Sequence, residues 1–251
     1  EKMRDTLSHF MEYMKAQPWS KRIVGVRVGY GVYGEWHYYG LARSMPDTGK
    51  AMTKAFRRYL GKKYTTDEAL QKAWNDSCVT LETAKVPGAK ARWGRHLYLR
   101  DGAFDQAVLD YYDCHGNEVS DTLLNAAQTV KAADPDLLVG AYYGYTFGMP
   151  YGPEGQTVGL EKVLASKSID FLSQPYIYLD QRRAGGDGLL RTVPSLFRRY
   201  GKLFLMEDDT RTHLAKKPSY RDAENLTESV ALLRRNIATA FLEGGGIQYL
   251  E

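Results

Sequence analysis

The alternation of strand-like and helix-like segments is the feature that most constrains how this chain can fold. Short stretches rich in Val, Ile, Leu and Tyr are separated by longer stretches whose apolar residues recur at helical spacing. The predicted strands cover residues 22–29, 137–145, 169–178, 202–209 and 244–251. Strands that are separated by helices form right-handed βαβ units and a parallel sheet. The sequence therefore predicts an α/β fold with five parallel strands.

The helical segments are marked by apolar spacing and by the residues that begin and end them. A first helix ends before Pro18, and Thr66 or Asp67 can cap a later one. The other predicted helices cover residues 50–61, 158–166, 189–200 and 222–243, and residues 104–133 form either one long helix or two. The stretch from about 76 to 103 lacks this spacing and is predicted as an irregular insertion. Because no repeat or low-complexity tract divides the chain, one domain over residues 1–251 is expected.

Charge and cysteine content exclude several classes of function. The 251 residues include 34 basic and 30 acidic ones, and the basic residues lie in scattered pairs. Nucleic-acid and membrane-surface binding need clustered Lys and Arg, so neither partner is expected. The two cysteines cannot build a disulfide framework, and the five histidines never stand four residues apart. No metal or other cofactor is expected, and the sequence indicates no cellular compartment.

A glycine motif after the first predicted strand suggests a nucleotide site and has to be weighed. Gly29, Gly31 and Gly34 match the dinucleotide-binding fingerprint by their spacing. That fingerprint also requires a helix that begins at its third glycine and holds the pyrophosphate. The residues that follow have no helical apolar stripe and include Gly40 and Pro46. A dinucleotide cofactor is therefore not expected.

Aromatic residues are concentrated where the predicted strands end. In parallel α/β folds the ligand site lies at the carboxyl ends of the strands. The residues expected to contact a substrate there are Trp36, Tyr142, Tyr143, Tyr145, Tyr176, Tyr178 and Arg211. Aromatic rings beside carboxylates suit a sugar, whose apolar faces stack on rings while its hydroxyls form hydrogen bonds. The alternative for any one tyrosine is that it fills the core of the sheet.

Two glutamates stand at strand ends in this aromatic setting. Glu35 precedes Trp36 after the first strand, and Glu207 ends the apolar run of the fourth. A carboxylate at the end of a buried strand is costly unless it is paired or used. Each could form a structural salt bridge, whereas the two together suit glycoside hydrolysis, in which one acid protonates the leaving oxygen and the other attacks the anomeric carbon.

A family resemblance covers most of the chain. The segments that carry it are VGYGVYGEWHYYG, FRRYLGKKYTTDEALQKAWND, LLVGAYYGYTF, IDFLSQPYIY and LFLMEDDTRTHL. They resemble the β-galactosidase-like barrels of glycoside hydrolase clan A, closest to family 42. The resemblance implies a (β/α)8 TIM barrel in which Glu35 is the acid/base at the end of strand four and Glu207 the nucleophile at the end of strand seven. Gly34 stands where clan members usually carry an Asn that contacts the sugar 2-hydroxyl.

The resemblance also implies a function and an extent. The five strands would be strands four to eight of the barrel, with the first three βα units absent. The activity would be that of a retaining glycosidase that removes a terminal β-linked sugar, with the two carboxyls about 5 to 5.5 Å apart. The partner would be an oligosaccharide or glycoside, and a homo-oligomer is compatible because related β-galactosidases are often trimers. The alternative is a non-catalytic carbohydrate-binding barrel, in which the aromatic residues only hold glycans.

Overall fold

A computed structural model describes residues 2–37, 45, 47–93, 100–147, 158–217 and 221–250. These residues belong to two compact units. The sheet unit comprises residues 1–29, 124–149 and 161–251, and the helical unit comprises residues 30–123 and 150–160.

The sheet unit contains the five parallel strands that the sequence predicts. The strands are β1 (Gly25–Arg27), β2 (Leu138–Tyr142), β3 (Phe171–Pro175), β4 (Leu203–Asp208) and β5 (Gly246–Tyr249). Each strand pairs in parallel with the next along the chain, so that β1 and β5 form the two edges of the sheet. This order confirms the parallel α/β sheet, although every strand is shorter than its predicted segment.

Eight α-helices are present in the described part of the chain. They are α1 (Lys2–Lys15), α2 (Lys50–Tyr64), α3 (Asp67–Trp74), α4 (Ala89–Arg92), α5 (Gly102–Ala133), α6 (Leu160–Ala165), α7 (Pro194–Arg199) and α8 (Leu226–Leu242). As predicted, Thr66 caps α3, since its hydroxyl accepts a hydrogen bond from the Ala69 N–H at 3.2 Å. No helix within the described ranges is long and apolar enough to cross a membrane.

Two predicted helices begin four or more residues later than their apolar spacing indicates. The helix predicted over 189–200 was wrong in its first half, because α7 begins only at Pro194. The preceding residue, Val193, has an extended backbone with φ −104° and ψ 97°. A residue that precedes proline is disfavoured in the helical region, whereas proline itself fits the first helical turn. The helix predicted over 222–243 begins at Leu226, because the Asn225 side chain caps it by accepting from the Glu228 N–H at 2.9 Å.

The register of the sheet positions the residues of one strand against those of the next. Glu207 lies opposite Pro175 on one side and Gln248 on the other, while Tyr142 lies opposite Ser173. Side chains alternate between the two faces of a strand, so Glu207 points away from the face on which its buried neighbour Met206 packs. The register therefore gathers polar side chains near the carboxyl ends of the strands.

The helical unit has its own apolar core around a buried carboxylate. Phe56 of α2 stacks on Trp74 of α3 with ring centroids 6.0 Å apart. Asp110 of α5 is fully buried and accepts hydrogen bonds from Lys63 at 2.8 Å and from the Trp74 indole at 2.7 Å. A buried carboxylate that is both paired and hydrogen-bonded ties these helices together. The insertion predicted at about 76–103 contains turns and α4, while its residues 94–99 lie outside the described ranges.

Buried His115 predicts how the stability of the protein depends on pH. Burial, with a smaller effect of Arg92, lowers the pKa of His115 from 6.5 to about 3. Between these two pKa values His115 is protonated in the unfolded chain and neutral in the folded chain. Its contribution to the free energy of unfolding is therefore fully present above about pH 6.5 and is lost as the pH falls toward 3. Between pH 7 and pH 5 we expect the free energy of unfolding to fall by up to about 2 kcal/mol through this group.

Urea denaturation of parent and variants at both pH values measures this loss. His115→Gln should flatten the pH dependence, whereas His9→Gln, at an exposed position of α1, should leave it as in the parent. The same pH dependence in the parent and in His115→Gln would contradict the prediction.

Candidate active site

Glu207 is held in a nearly closed environment at the carboxyl end of β4. The residue is 7% exposed. Its Oε2 accepts a hydrogen bond from the Tyr142 hydroxyl and another from Gln248 Nε2 at 3.3 Å. Gln248 Nε2 also donates to the Tyr142 hydroxyl oxygen at 2.6 Å. Two neutral groups, one from β2 and one from the neighbouring strand β5, therefore fix the orientation of this carboxylate without neutralising its charge.

Arg27 of β1 forms hydrogen bonds with both residues that donate to Glu207. Its Nη1 donates to the Tyr142 hydroxyl at 3.2 Å, and its Nη2 donates to the Ser173 hydroxyl at 3.0 Å and to Gln248 Oε1. The guanidinium carbon lies 4.4 Å from the centroid of the Tyr142 ring. We call Arg27, Tyr142, Ser173, Glu207 and Gln248 the Glu207 cluster. The network links all five strands, because each of β1 to β5 contributes one of its members.

The Tyr142 hydroxyl is the centre of the Glu207 cluster. It accepts from Arg27 and Gln248 and uses its one proton to donate to Glu207, which fills its hydrogen-bonding capacity. Burial, followed by the hydrogen bond and charge of Glu207, raises the pKa of Tyr142 well above its usual value. Tyr142 therefore remains a hydrogen-bond donor throughout the neutral pH range.

The two aspartates after Glu207 anchor neighbouring elements. Both oxygens of Asp208 accept from Asn236 Nδ2 of α8 at 3.1 Å, inside the protein. Asp209 accepts from Arg182 Nη2 at 2.9 Å and from the Tyr178 hydroxyl at 2.7 Å. These contacts fix the chain immediately after Glu207, so the end of β4 is a rigid support for that carboxylate.

The predicted substrate-contacting residues of the sheet unit separate into two groups. Tyr142 is partly exposed and Tyr178 is 47% exposed, whereas Tyr143, Tyr145 and Tyr176 are at most 1% exposed. Those three buried rings lie in the interior of the sheet unit, which agrees with the alternative that strand tyrosines fill the core. Arg211 lines a surface cavity together with Tyr178, and its backbone N–H donates to Asp222 at 2.9 Å.

In the helical unit, Glu35 lies on a tight turn whose backbone is unusual. The turn is closed by hydrogen bonds from Trp36 N–H to Tyr30 O at 2.8 Å and from Glu35 N–H to Val32 O at 3.0 Å. Four of its residues have a positive φ, and these are Gly31 (76°), Tyr33 (57°), Gly34 (76°) and Trp36 (63°). Residues other than glycine are strained in this region, and such strain is concentrated at functional sites.

The surroundings of the Glu35 side chain are aromatic and include one titratable group. The Glu35 side chain is 22% exposed, and its Oε2 lies 3.4 Å from Nε2 of the buried His37. The Trp36 ring packs at a centroid distance of 6.1 Å from Tyr30. Tyr30, Trp36 and His37 line a cavity of about 350 Å³ in the helical unit. A cavity of this size, lined by aromatic, apolar and polar residues that include the neighbours of Glu35 in sequence, can accept part of a ligand.

Sequence reasoning missed three members of the Glu207 cluster. Ser173 and Gln248 are ordinary polar residues in their segments, and only the register of the sheet brings them to Glu207. Arg27 carried a signal, because a charged residue in the middle of a β-branched strand requires partners. Among the described residues, no group of three His, Cys, Asp or Glu side chains could hold a metal ion.

Solved structures of other proteins have a fold similar to that of this chain. Neither a protein-family model nor a curated protein sequence matches the chain. Among solved structures, a β-galactosidase from the psychrophilic Marinomonas ef1 matches with a TM-score of 0.65 and 16% identity over 100% of this chain and 36% of that chain. Glycoside hydrolases share this fold.

Two further structures extend the likeness to other glycoside hydrolases. An exo-β-agarase matches with a TM-score of 0.64 and 17% identity, over 98% of this chain and 31% of that one. The catalytic domain of a β-amylase from Paenibacillus polymyxa matches with a TM-score of 0.63 and 14% identity, over 99% of this chain and 60% of that one. The five-stranded sheet therefore corresponds to part of a TIM barrel, and the chain spans about a third of the β-galactosidase and agarase chains.

Proposed function

We propose that the protein is a retaining glycoside hydrolase that removes a terminal β-linked sugar, as β-galactosidases do. The observation that carries the proposal is the position of Glu207, at the carboxyl end of a parallel strand and oriented by neutral donors, in a fold similar to those of glycoside hydrolases. The strands β1 to β5 would be barrel strands four to eight.

Glu207 is the nucleophile in this proposal. It attacks the anomeric carbon through an oxocarbenium-like transition state and forms a glycosyl ester, and water later cleaves that ester. The Tyr142 hydroxyl and Gln248 amide orient the carboxylate for the attack. Because Tyr142 stays protonated, it also donates a hydrogen bond to Glu207 when the negative charge returns in the second step.

Glu35 is the acid/base in this proposal. It gives a proton to the departing glycosidic oxygen in the first step and takes one from water in the second. The turn that holds it, with Tyr33 and Trp36 in the left-handed region, fixes where the carboxyl group is presented. His37 Nε2 lies 3.4 Å from Glu35 Oε2 and can form a hydrogen bond with the carboxyl group.

The remaining predicted residues would bind the sugar. Tyr142 and Tyr178, whose rings are partly exposed, and Trp36, which lines a cavity, would supply stacking surfaces, and Arg211 would supply a charged donor. Tyr143, Tyr145 and Tyr176 would act from the interior, by holding these surfaces in place. The substrate is an oligosaccharide or a simple glycoside.

Trapping of the covalent intermediate tests the proposal. The intact protein is assayed with a panel of aryl β-glycosides and is then inactivated with the 2-deoxy-2-fluoro derivative of the best substrate. We expect stoichiometric labelling of the peptide that contains Glu207, as mass mapping would show. Glu207→Gln serves as the matched control and should not be labelled. Labelling of another residue, or glycan binding without turnover, would reject the proposal, and the second result would favour the carbohydrate-binding alternative.

A further inference from the structure

The surface cavity of the sheet unit that Arg211 and Tyr178 line has an unusual concentration of arginine. It measures about 500 Å³ and lies beside the segments that follow β3 and β4. Its lining includes Tyr178, Arg182, Arg183, Arg211, Arg221 and Asp222. The volume lies in the range of ligand pockets, which span about 300 to 1,000 Å³.

The charges around this cavity do not balance. Two carboxylates line it, and one of them, Asp180, is almost fully exposed and 3.8 Å from Arg183. The other, Asp222, accepts from Arg182 Nε at 3.0 Å. Even with Asp209, which follows β4 and pairs with Arg182, the described residues around the cavity include three carboxylates and four guanidinium groups. An excess of guanidinium groups in a concave surface attracts anions and favours bidentate recognition of their oxygens.

Arg182 gives the cavity a built floor. The residue is 6% exposed, and Asp222 and Asp209 fix two of its nitrogens. Its third nitrogen, Nη1, is buried and has no hydrogen-bond partner among the described residues. An unused buried donor costs free energy, and an anion seated against Arg182 would supply an acceptor.

Tyr178 relates the cavity to sugar binding. The residue is 47% exposed and lines the cavity, and its hydroxyl donates to Asp209 at 2.7 Å. The guanidinium carbons of Arg182 and Arg191 lie 4.8 Å and 4.4 Å from the ring centroid. Asp209 follows Glu207 by two residues, about 7 Å of extended chain. A half-exposed aromatic residue beside these guanidinium groups, close in the chain to Glu207, fits a sugar that carries a negative substituent.

We propose that this cavity binds an anionic substituent, a sulfate ester or a carboxylate, of the glycan on which the protein acts. The glycan part of the proposal rests on the proposed glycosidase function, whereas the anion site does not. Arg183, Arg211 and Arg221 hold the anionic oxygens over Arg182, and the exposed part of Tyr178 contacts the sugar.

Calorimetric titration of the intact protein with inorganic sulfate and with acetate tests the anion site, and the two anions distinguish the two substituents. We expect saturable one-site binding of at least one anion, which weakens as sodium chloride is added. Arg183→Gln should weaken it about threefold to fivefold, and Arg183→Glu more than about tenfold. The Arg183 side chain is exposed, so neither variant disturbs the core. Arg221→Gln is a second variant with the same expected direction.

Arg199→Gln is the matched control, because Arg199 is an exposed arginine of α7 outside the cavity. It should leave anion binding unchanged. Absence of saturable binding by both anions, or equal weakening by Arg183→Gln and Arg199→Gln, would overturn the site. If sulfate or acetate binds but galactose 6-sulfate and galacturonate bind no better than galactose, the glycan assignment is overturned. Hydrolysis of neutral glycosides without anion binding rejects the cavity proposal alone, and anion binding without any hydrolysis rejects the glycosidase alone.

Discussion

Replacing Glu207 with glutamine is expected to lower kcat on an aryl β-glycoside by at least about ten-thousandfold. The amide keeps the size of the side chain but cannot attack the anomeric carbon, so the covalent intermediate does not form. Losses of this size are typical when a nucleophile is removed. Steady-state kinetics of the intact protein, with the glycoside that the parent cleaves best, measure the effect.

Azide distinguishes the loss of a nucleophile from a general loss of structure. In Glu207→Ala the removed side chain leaves space on the face opposite the leaving group, and azide can attack there. We expect azide to restore turnover and to yield the glycosyl azide of inverted, α configuration. Glu12→Gln is the matched control, because Glu12 is an exposed residue of α1. Retention of more than about a tenth of the parent activity by Glu207→Gln would contradict the nucleophile assignment.

The fold was largely predictable because each element carries a local signal. Strand and helix segments differ in their apolar spacing, and their alternation predicts a parallel sheet, whereas the order of the strands was implied only by the barrel resemblance. The errors occurred where one residue overrides the spacing. Pro194 and Asn225 set where α7 and α8 begin, although apolar residues continue the helical pattern before each of them. Such overrides depend on backbone geometry and not on the average apolar pattern.

The candidate site was predictable only where a residue differs in polarity from its neighbours in sequence. Glu207 was noticeable because a carboxylate ends an apolar run. Gln248 and Ser173 were not, because their contacts depend on the relative register of strands that are far apart in sequence. Tyr143 and Tyr145 follow β2 and are buried. Whether each side chain points to the interior or to solvent depends on the direction of the backbone after β2, and the amino-acid composition does not encode that direction.

The cationic cavity shows a further limit of sequence reasoning. The chain contains 34 basic residues in scattered pairs, a pattern that predicts a solvated surface. Arg182 and Arg183 are one such pair, yet folding brings them beside Arg211 and Arg221, which belong to the segment after β4. A charge cluster that several loops build is visible in three dimensions and absent from any window of the sequence.

Replacing Glu35 with alanine is expected to lower kcat/KM by about a hundredfold to ten-thousandfold for a glycoside with a poor leaving group, such as a simple alkyl glycoside. The loss should be much smaller for a 2,4-dinitrophenyl glycoside, because that leaving group departs without a proton. A dependence on the leaving group identifies an acid, since a residue that only supports the structure would affect both substrates alike.

Azide again separates the roles of the two glutamates. In Glu35→Ala the glycosyl ester on Glu207 still forms from the activated substrate, and azide can replace the water that Glu35 would have activated. The product should then be the β-glycosyl azide, of retained configuration, opposite to the product from Glu207→Ala. Glu82→Gln, at an exposed position of the helical unit, should behave as the parent with both substrates. Equal losses on both glycosides in Glu35→Ala would remove Glu35 from the reaction and leave the turn from Gly31 to Trp36 with a structural role.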